Sequence, residues 1–174
     1  DSIAPIILFA YNRPEHTRKT LCALKENYLA DQSELFIYID GPKSSVQINV
    51  IDEVKKIARE DKWCGTVTVV ESDVNNGLAT SVLNGVTEII NKYGKVIVIE
   101  DDLVSDKWFL KFMNDALNVY EKEESVVCAS GYIYPVKGNL PETFFLKGAD
   151  CWGWATWKRG WEILERDGSK LLKE

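Results

Sequence analysis

The chain has 174 residues, enough for one domain with a sizeable core. Its 45% hydrophobic and 28% charged content excludes disorder as the default state. A net charge of −6 argues against a nucleic-acid backbone as the main partner, but admits an anionic small molecule where a metal or a local Arg or Lys offsets the field.

Strand-like and helix-like segments alternate. Ile6 to Ala10 is a short apolar run, and Asn12-Arg13-Pro14 then turns into a helix carrying Leu21, Leu24 and Tyr28 on one face. Leu35 to Ile39 reads as a second strand, stopped by Asp40-Gly41-Pro42. Val50, Val54, Ile57 and Ala58 have the spacing of an amphipathic helix. The β-branched run Thr66 to Val70 predicts a third strand, and Val82, Val86, Ile89 and Ile90 a third helix. Val96 to Ile99 is an apolar run suited to a strand buried on both faces. Ser105 is a candidate N-cap for a helix from about 106 to 123, with Trp108, Phe112, Ala116, Val119 and Tyr120 facing inward. A fifth strand is expected at Ser125 to Ala129. Loops with a candidate strand at Phe144 to Leu146 follow, and a tryptophan-rich segment closes the chain. There Trp154, Trp157 and Trp161 fall at i, i+3, i+7, which favours core packing of a helix.

This order predicts an α/β fold with a mainly parallel sheet and helices on both faces. Ligands of such sheets bind beyond the carboxyl ends of the strands. That edge gathers Tyr11, Asn12 and Arg13 after strand one, Asp40 after strand two, Asn75 and Gly77 after strand three, and Glu100-Asp101-Asp102 after strand four. Three adjacent carboxylates, with reference pKa values near ~4, are ionised at neutral pH and repel unless something positive sits beside them. A divalent cation is one candidate, since hard cations prefer carboxylate oxygen; an acidic turn or helix start is the plain alternative. An Arg, isolated acids and a metal-binding cluster suit a nucleotide diphosphate. The metal would bridge phosphate oxygens, Arg13 would pair with a phosphate or stabilise its loop, and Asp40 would accept a base N–H.

Other motifs are excluded. Gly41-Pro42-Lys43-Ser44-Ser45 lacks the phosphate-loop pattern, and Pro42 removes a backbone donor. No G-x-G-x-x-G follows strand one. Cys22, Cys64, Cys128 and Cys151 form no C-x-x-C pair and have no cluster spacing with His16, so a zinc site is not expected. Isolated cysteines suggest a reducing compartment, with Cys64–Cys128 pairing left open. No apolar run approaches the ~20 residues that span a bilayer. The expected location is the cytoplasm, including its membrane surface. Trp152-Gly153 offers an aromatic floor for a sugar ring.

The stretch VIVIEDDLVSDKWFLKF resembles the strand, acidic motif and helix of metal-dependent GT-A glycosyltransferases. It is similar to bacterial glycosyltransferase family 2-like proteins and to the N-acetylglucosaminyltransferase I family, whose acidic motif is also Glu-Asp-Asp. FAYNRPEHTRKTL, IYIDGP, NNGLATSVLNGV and CWGWATWKRGWEIL extend the resemblance over nearly the whole chain. It implies a GT-A fold, a nucleotide-sugar donor (most often a UDP-sugar), a hydroxyl acceptor such as a glycan, and Mn²⁺ or Mg²⁺. It also implies an inverting in-line attack. Asp102 matches the acid that binds the metal, Asp101 the one near the ribose, and Glu100 the one facing the donor sugar. Asp40 matches the acid that recognises the base, and Asn12 and Arg13 match the nucleotide loop.

In the N-acetylglucosaminyltransferase I family the general base lies downstream of the Gly-Trp motif, at roughly the distance of Glu174. The base is therefore expected outside residues 1–174, read as one truncated domain, with Asp150 an in-chain candidate that turn capping explains as well. A sugar nucleotidylyltransferase and a non-catalytic nucleotide-sugar-binding module are the competing readings. The former is disfavoured because Tyr11-Asn12-Arg13-Pro14 replaces the Gly-rich, basic loop expected there. Oligomeric state, donor sugar and acceptor are not readable from these residues.

Overall fold

A computed structural model describes residues 2–172. Among these residues six strands form one sheet in the order β3-β2-β1-β4-β6-β5. The strands are β1 (Ile6–Ala10), β2 (Glu34–Ile39), β3 (Thr66–Glu71), β4 (Lys95–Glu100), β5 (Cys128–Ser130) and β6 (Trp154–Trp157). β3, β2, β1 and β4 run parallel, while β6 is antiparallel to both β4 and β5. The helices are α1 (Pro14–Lys25), α2 (Ile48–Arg59), α3 (Leu78–Tyr93), α4 (Phe109–Val119), α5 (Lys158–Trp161) and α6 (Gly168–Leu171).

The two-residue alternation of a strand sorts β1 and β4 between two cores. Ile6, Leu8 and Ala10 join Ile97 and Ile99 on one face, under Leu21 and Leu24 of α1, Ile51, Val54 and Ile57 of α2, and Leu110, Met113 and Leu117 of α4. Ile7, Phe9, Val96 and Val98 face the other way, under Val86, Ile89 and Ile90 of α3 and Trp161. Every β1 residue is buried, as a two-sided apolar strand requires. Each such Ile or Leu contributes about 1.5–3 kcal/mol of hydrophobic stabilisation. This is the α/β, mainly parallel architecture the sequence predicts.

Several local expectations are corrected. Trp154 and Trp157 are not helical: they bracket β6, where Trp154 pairs with Val98 and Trp157 with Lys95. Their helical spacing is coincidental, and the sheet edge offered by β4 decides the matter. Tyr28 lies beyond α1, exposed, with its ring 5.6 Å from that of Trp108. The buried face of α4 is Leu110, Met113, Asn114 and Leu117, while Trp108, Phe112 and Val119 are exposed. A buried polar residue hid that stripe. Asn114 Oδ1 accepts from Ala4 N at 2.8 Å, and its Nδ2 donates to Leu110 O. Ser105 does not cap α4; its Oγ accepts from Asn27 Nδ2 instead. β5 falls at Cys128–Ser130, and Phe144 to Leu146 forms no strand. Cys64 and Cys128 are unpaired thiols, as are Cys22 and Cys151.

Candidate functional site

In this strand order, β1 sends the chain one way to β2 and β3, while β4 lies on its other side. The carboxyl ends of β1 and β4 therefore frame the point where an open α/β sheet forms its ligand crevice. Two segments meet there. Pro14 opens α1 as a helix-starting proline should, which fixes the preceding Tyr11-Asn12-Arg13 as a tight exit from β1. Thr17 Oγ1 donates to Arg13 O at 2.9 Å and steadies that exit.

Arg13 supplies the positive charge that the acidic triplet requires. Its Nη1 donates to Asp102 Oδ2 at 2.8 Å and its Nη2 donates to Asp101 Oδ1. Asp101 is buried, only 1% exposed, and its second oxygen accepts from Tyr11 N at 3.2 Å. Burial disfavours the Arg13 cation, but Asp101 and Asp102 outweigh it and raise its pKa. Burial pushes Glu100 above the usual carboxylate range, and repulsion from Asp102 and Asp101 adds to that.

The ends of β2 and β3 are joined through Asp40. Its Oδ1 accepts from Gly41 N at 3.0 Å and Asn76 N at 2.9 Å; its Oδ2 accepts from Asn75 Nδ2 at 3.0 Å and Gly77 N at 2.9 Å. A carboxylate has about four acceptor sites, so this set uses its capacity. Gly41 lies so close to the same loop that a Cβ would stand 2.5 Å from the Val74 carbonyl carbon. Gly77, at φ 79°, makes the left-handed turn into α3.

These strand ends line one cleft of about 340 Å³. Tyr11, Arg13, Asp40, Asn75, Gly77, Glu100 and Asp101 all contribute to it; Asn12 does not. Sequence reasoning missed Lys43 and a face of α3 carrying Ser81, Asn84 and Glu88, which also line the cleft. The i, i+3, i+7 spacing of those three polar residues was the available signal. Gly85 sits between them, where a Cβ would come within 3.0 Å of Ile7 and Phe9, so its absence lets α3 lie close to β1. Tyr38 OH donates to Glu88 Oε2 at 2.8 Å on the same wall; burial and then Glu88 raise the tyrosine pKa.

Asp102, Trp152 and Gly153 lie elsewhere, around a second cleft of about 650 Å³. The acidic triplet thus divides two cavities: Glu100 and Asp101 face the first, Asp102 the second. Asp150 lines neither, and its Oδ1 accepts from Trp152 N at 2.8 Å as a turn cap. Among the described residues no three His, Cys, Asp or Glu side chains come together as a metal cage. No described helix is long and apolar enough to cross a membrane.

No protein-family model and no curated protein matches the chain. Solved structures do. 4-Diphosphocytidyl-2C-methyl-D-erythritol synthase from Anaerococcus prevotii aligns at TM-score 0.51 and 14% identity, over 98% of this chain and 82% of that one. S. aureus TarS 1–349 aligns at 0.49 and 12% identity over 69% of this chain, and the galactosyltransferase LgtC in complex with donor and acceptor sugar analogues at 0.45 and 14% over 97%. The aligned part spans 33% of the TarS chain and 64% of the LgtC chain. At these identities the likeness speaks for the fold alone, and the first alignment, at TM-score 0.51, is close enough to do so.

Proposed function

We propose that the chain is the donor-binding domain of a glycosyltransferase that uses a nucleotide-sugar, a UDP-sugar. The observation that carries this reading is the convergence of four strand ends on one polar cleft at the β1–β4 crevice, with Arg13 held at its rim. The likeness of the Glu-Asp-Asp motif to the N-acetylglucosaminyltransferase I family supports it. Tyr11 and the loop shaped by Asp40 would border the base and ribose. With its four acceptor sites already filled, Asp40 would serve the base by positioning Asn75 and Asn76 rather than by direct contact. Arg13 retains donors beyond the two it gives to Asp101 and Asp102, and would turn them to the diphosphate.

The residues present fit a divalent cation as one ligand, not as a cage. Asp102 has a carboxylate side chain 40% exposed at the junction of the two clefts, and hard cations take oxygen ligands. The remaining ligands would come from the diphosphate itself. When bound, Mn²⁺ or Mg²⁺ would offset the charge of the departing diphosphate. In the inverting transfer, the acceptor hydroxyl oxygen bonds to the anomeric carbon. The bond from that carbon to the diphosphate oxygen breaks, its electron pair leaves with the diphosphate, and a carboxylate takes the hydroxyl proton. Asp150 is not given that last role, because it lines neither cleft.

Thermal unfolding with UDP and UDP-sugars, with and without Mn²⁺, tests the reading. At ligand concentrations of ~100 times Kd, binding stabilises by about 2.7 kcal/mol, on the order of 2–4 °C in a domain of this size. Asp102→Ala should lose the Mn²⁺-dependent part of the shift while keeping the fold. Absence of a shift with every nucleotide refutes the proposal. A nucleotidylyltransferase would use the same cleft for a nucleoside triphosphate, and pyrophosphate release from a triphosphate and a sugar phosphate would mark that activity instead.

A further inference from the structure

The second cleft has a chemistry of its own. Trp108, Phe109 and Phe112 at the start of α4 line it, together with Tyr132 and Trp152 from the segment that joins β5 to β6. Large aromatic residues normally bury most of their surface, yet here Trp108 is 50% and Trp152 43% exposed. The backbone holds them in place. Gly131 N donates to Gly153 O at 2.8 Å, tying the two loop segments together. A Cβ on Gly131 would meet the Phe109 ring at 2.7 Å, and one on Gly153 would meet it at 3.0 Å, so both glycines permit close packing on α4. Gly153 also takes φ 74°, a conformation that suits glycine. Tyr132 and Tyr134 pack edge-on, and both rings lie against Trp152, at 4.7 and 5.5 Å between centroids.

The charges of this cleft point in one direction. Asp102 and Asp106 line it, and among the described residues no Lys, Arg or His does. Lys107 Nζ lies 5.8 Å from the Trp108 ring centroid without joining the wall. Arg13 pairs with Asp102, so Asp106 carries the charge that repels an anion, and both carboxylates accept hydrogen bonds from hydroxyl groups. Aromatic faces take apolar C–H surface. A neutral sugar ring presents both: a C–H face and a rim of hydroxyls.

We propose that this second cleft binds a neutral carbohydrate ring, the acceptor, against the exposed faces of Trp152 and Trp108 with its hydroxyls toward the edge that carries Asp102 and Asp106. Its role as acceptor site rests on the transferase reading above. The assignment places Trp152, which the sequence offers as a floor for a sugar ring, on the far side of the acidic triplet from the first cleft. It also selects among acceptors: Arg13 offsets Asp102 from the first cleft, but a sugar phosphate or uronic acid would still face Asp106, with no Lys, Arg or His among the lining residues.

Saturation-transfer NMR on the chain tests this, using methyl glycosides of glucose, galactose, mannose and N-acetylglucosamine, each beside its 6-phosphate. Saturation should reach the ring protons of at least one neutral glycoside and not its phosphate. Trp152→Ala should weaken that binding at least about tenfold, and Trp152→Phe should retain much of it. Trp108→Ala, in the α4 part of the lining, should show the same loss and serves if Trp152→Ala does not fold. No transfer to any neutral glycoside, equal transfer to the phosphates, or transfer unchanged in both alanine variants overturns the proposal. A nucleotide-induced thermal shift without sugar binding refutes this cleft alone; sugar binding without any nucleotide shift refutes the donor reading alone.

Discussion

Arg13 and Asp101 show how much one pair can carry. Asp101 sits with its side chain 2% exposed, between the guanidinium and Tyr11 N. Arg13→Ala leaves that carboxylate with the amide alone. Stability should fall by about 1–3 kcal/mol, the cost of leaving a buried polar group short of a partner, in urea unfolding at neutral pH. Arg13→Lys should recover only part, since an ammonium cannot reach two carboxylates with a planar fork. The need for a positive partner was legible in the triplet itself; that Arg13 would be that partner was not, because 88 residues separate it from Asp101. Cys64 offers a pH test at the same scale. Burial pushes its thiol up to about 12. The unfolded thiol ionises near ~8.5, so the folded state binds the proton more tightly above that pH. Stability from this group is complete below the unfolded value and is lost as pH rises towards about 12. Cys64→Ala should therefore lose less stability than wild type as unfolding is measured from pH ~8 upward. Iodoacetamide at neutral pH should label exposed Cys22 and Cys151 and leave Cys64 unmodified.

Elements were legible where one physical signal dominated. β1 and β4 announced themselves as apolar runs because both of their faces are buried. β6 and the face of α4 were misread because pairing partners and a buried amide, neither visible in local periodicity, set them. Asn114 gives a direct check. Replacing it with Ala strands the Ala4 N–H beneath α4 and should cost about 1–3 kcal/mol in chemical denaturation. The β2–β3 loop pair behaves likewise. Asp40-Gly41 is a common turn dipeptide, and only the fold reveals that it binds the 74–77 loop from below. Gly41→Ala would drive a methyl group into Val74 backbone, and a rigid obstacle of that kind costs about 1–3 kcal/mol. Nucleotide-dependent stabilisation should shrink in the same variant, because the displaced loop carries Asn75, Asn76 and Gly77 of the cleft wall.

At the scale of the molecule, the sheet and the segment before β6 differ sharply in how they are held. β1 and β4 have hydrogen-bonded strands on both sides and buried side chains throughout their middles. Residues 131–149 are exposed at every position and contain no helix or strand. Local opening free energy follows burial and backbone hydrogen bonding, so amide exchange should divide along this line. Amides of β1 and β4 should exchange only through global unfolding, while those of 132–149 exchange close to the unprotected rate. The two-cleft arrangement adds a sharper expectation. A nucleotide occupying the first cleft should slow exchange in the 74–77 loop and at Tyr11 to Arg13, and leave 132–149 unchanged. A neutral glycoside should instead slow exchange around Tyr132 and Trp152. Nucleotide protection extending across 132–149 would mean that this segment folds over the donor, and the acidic triplet would then no longer separate two sites.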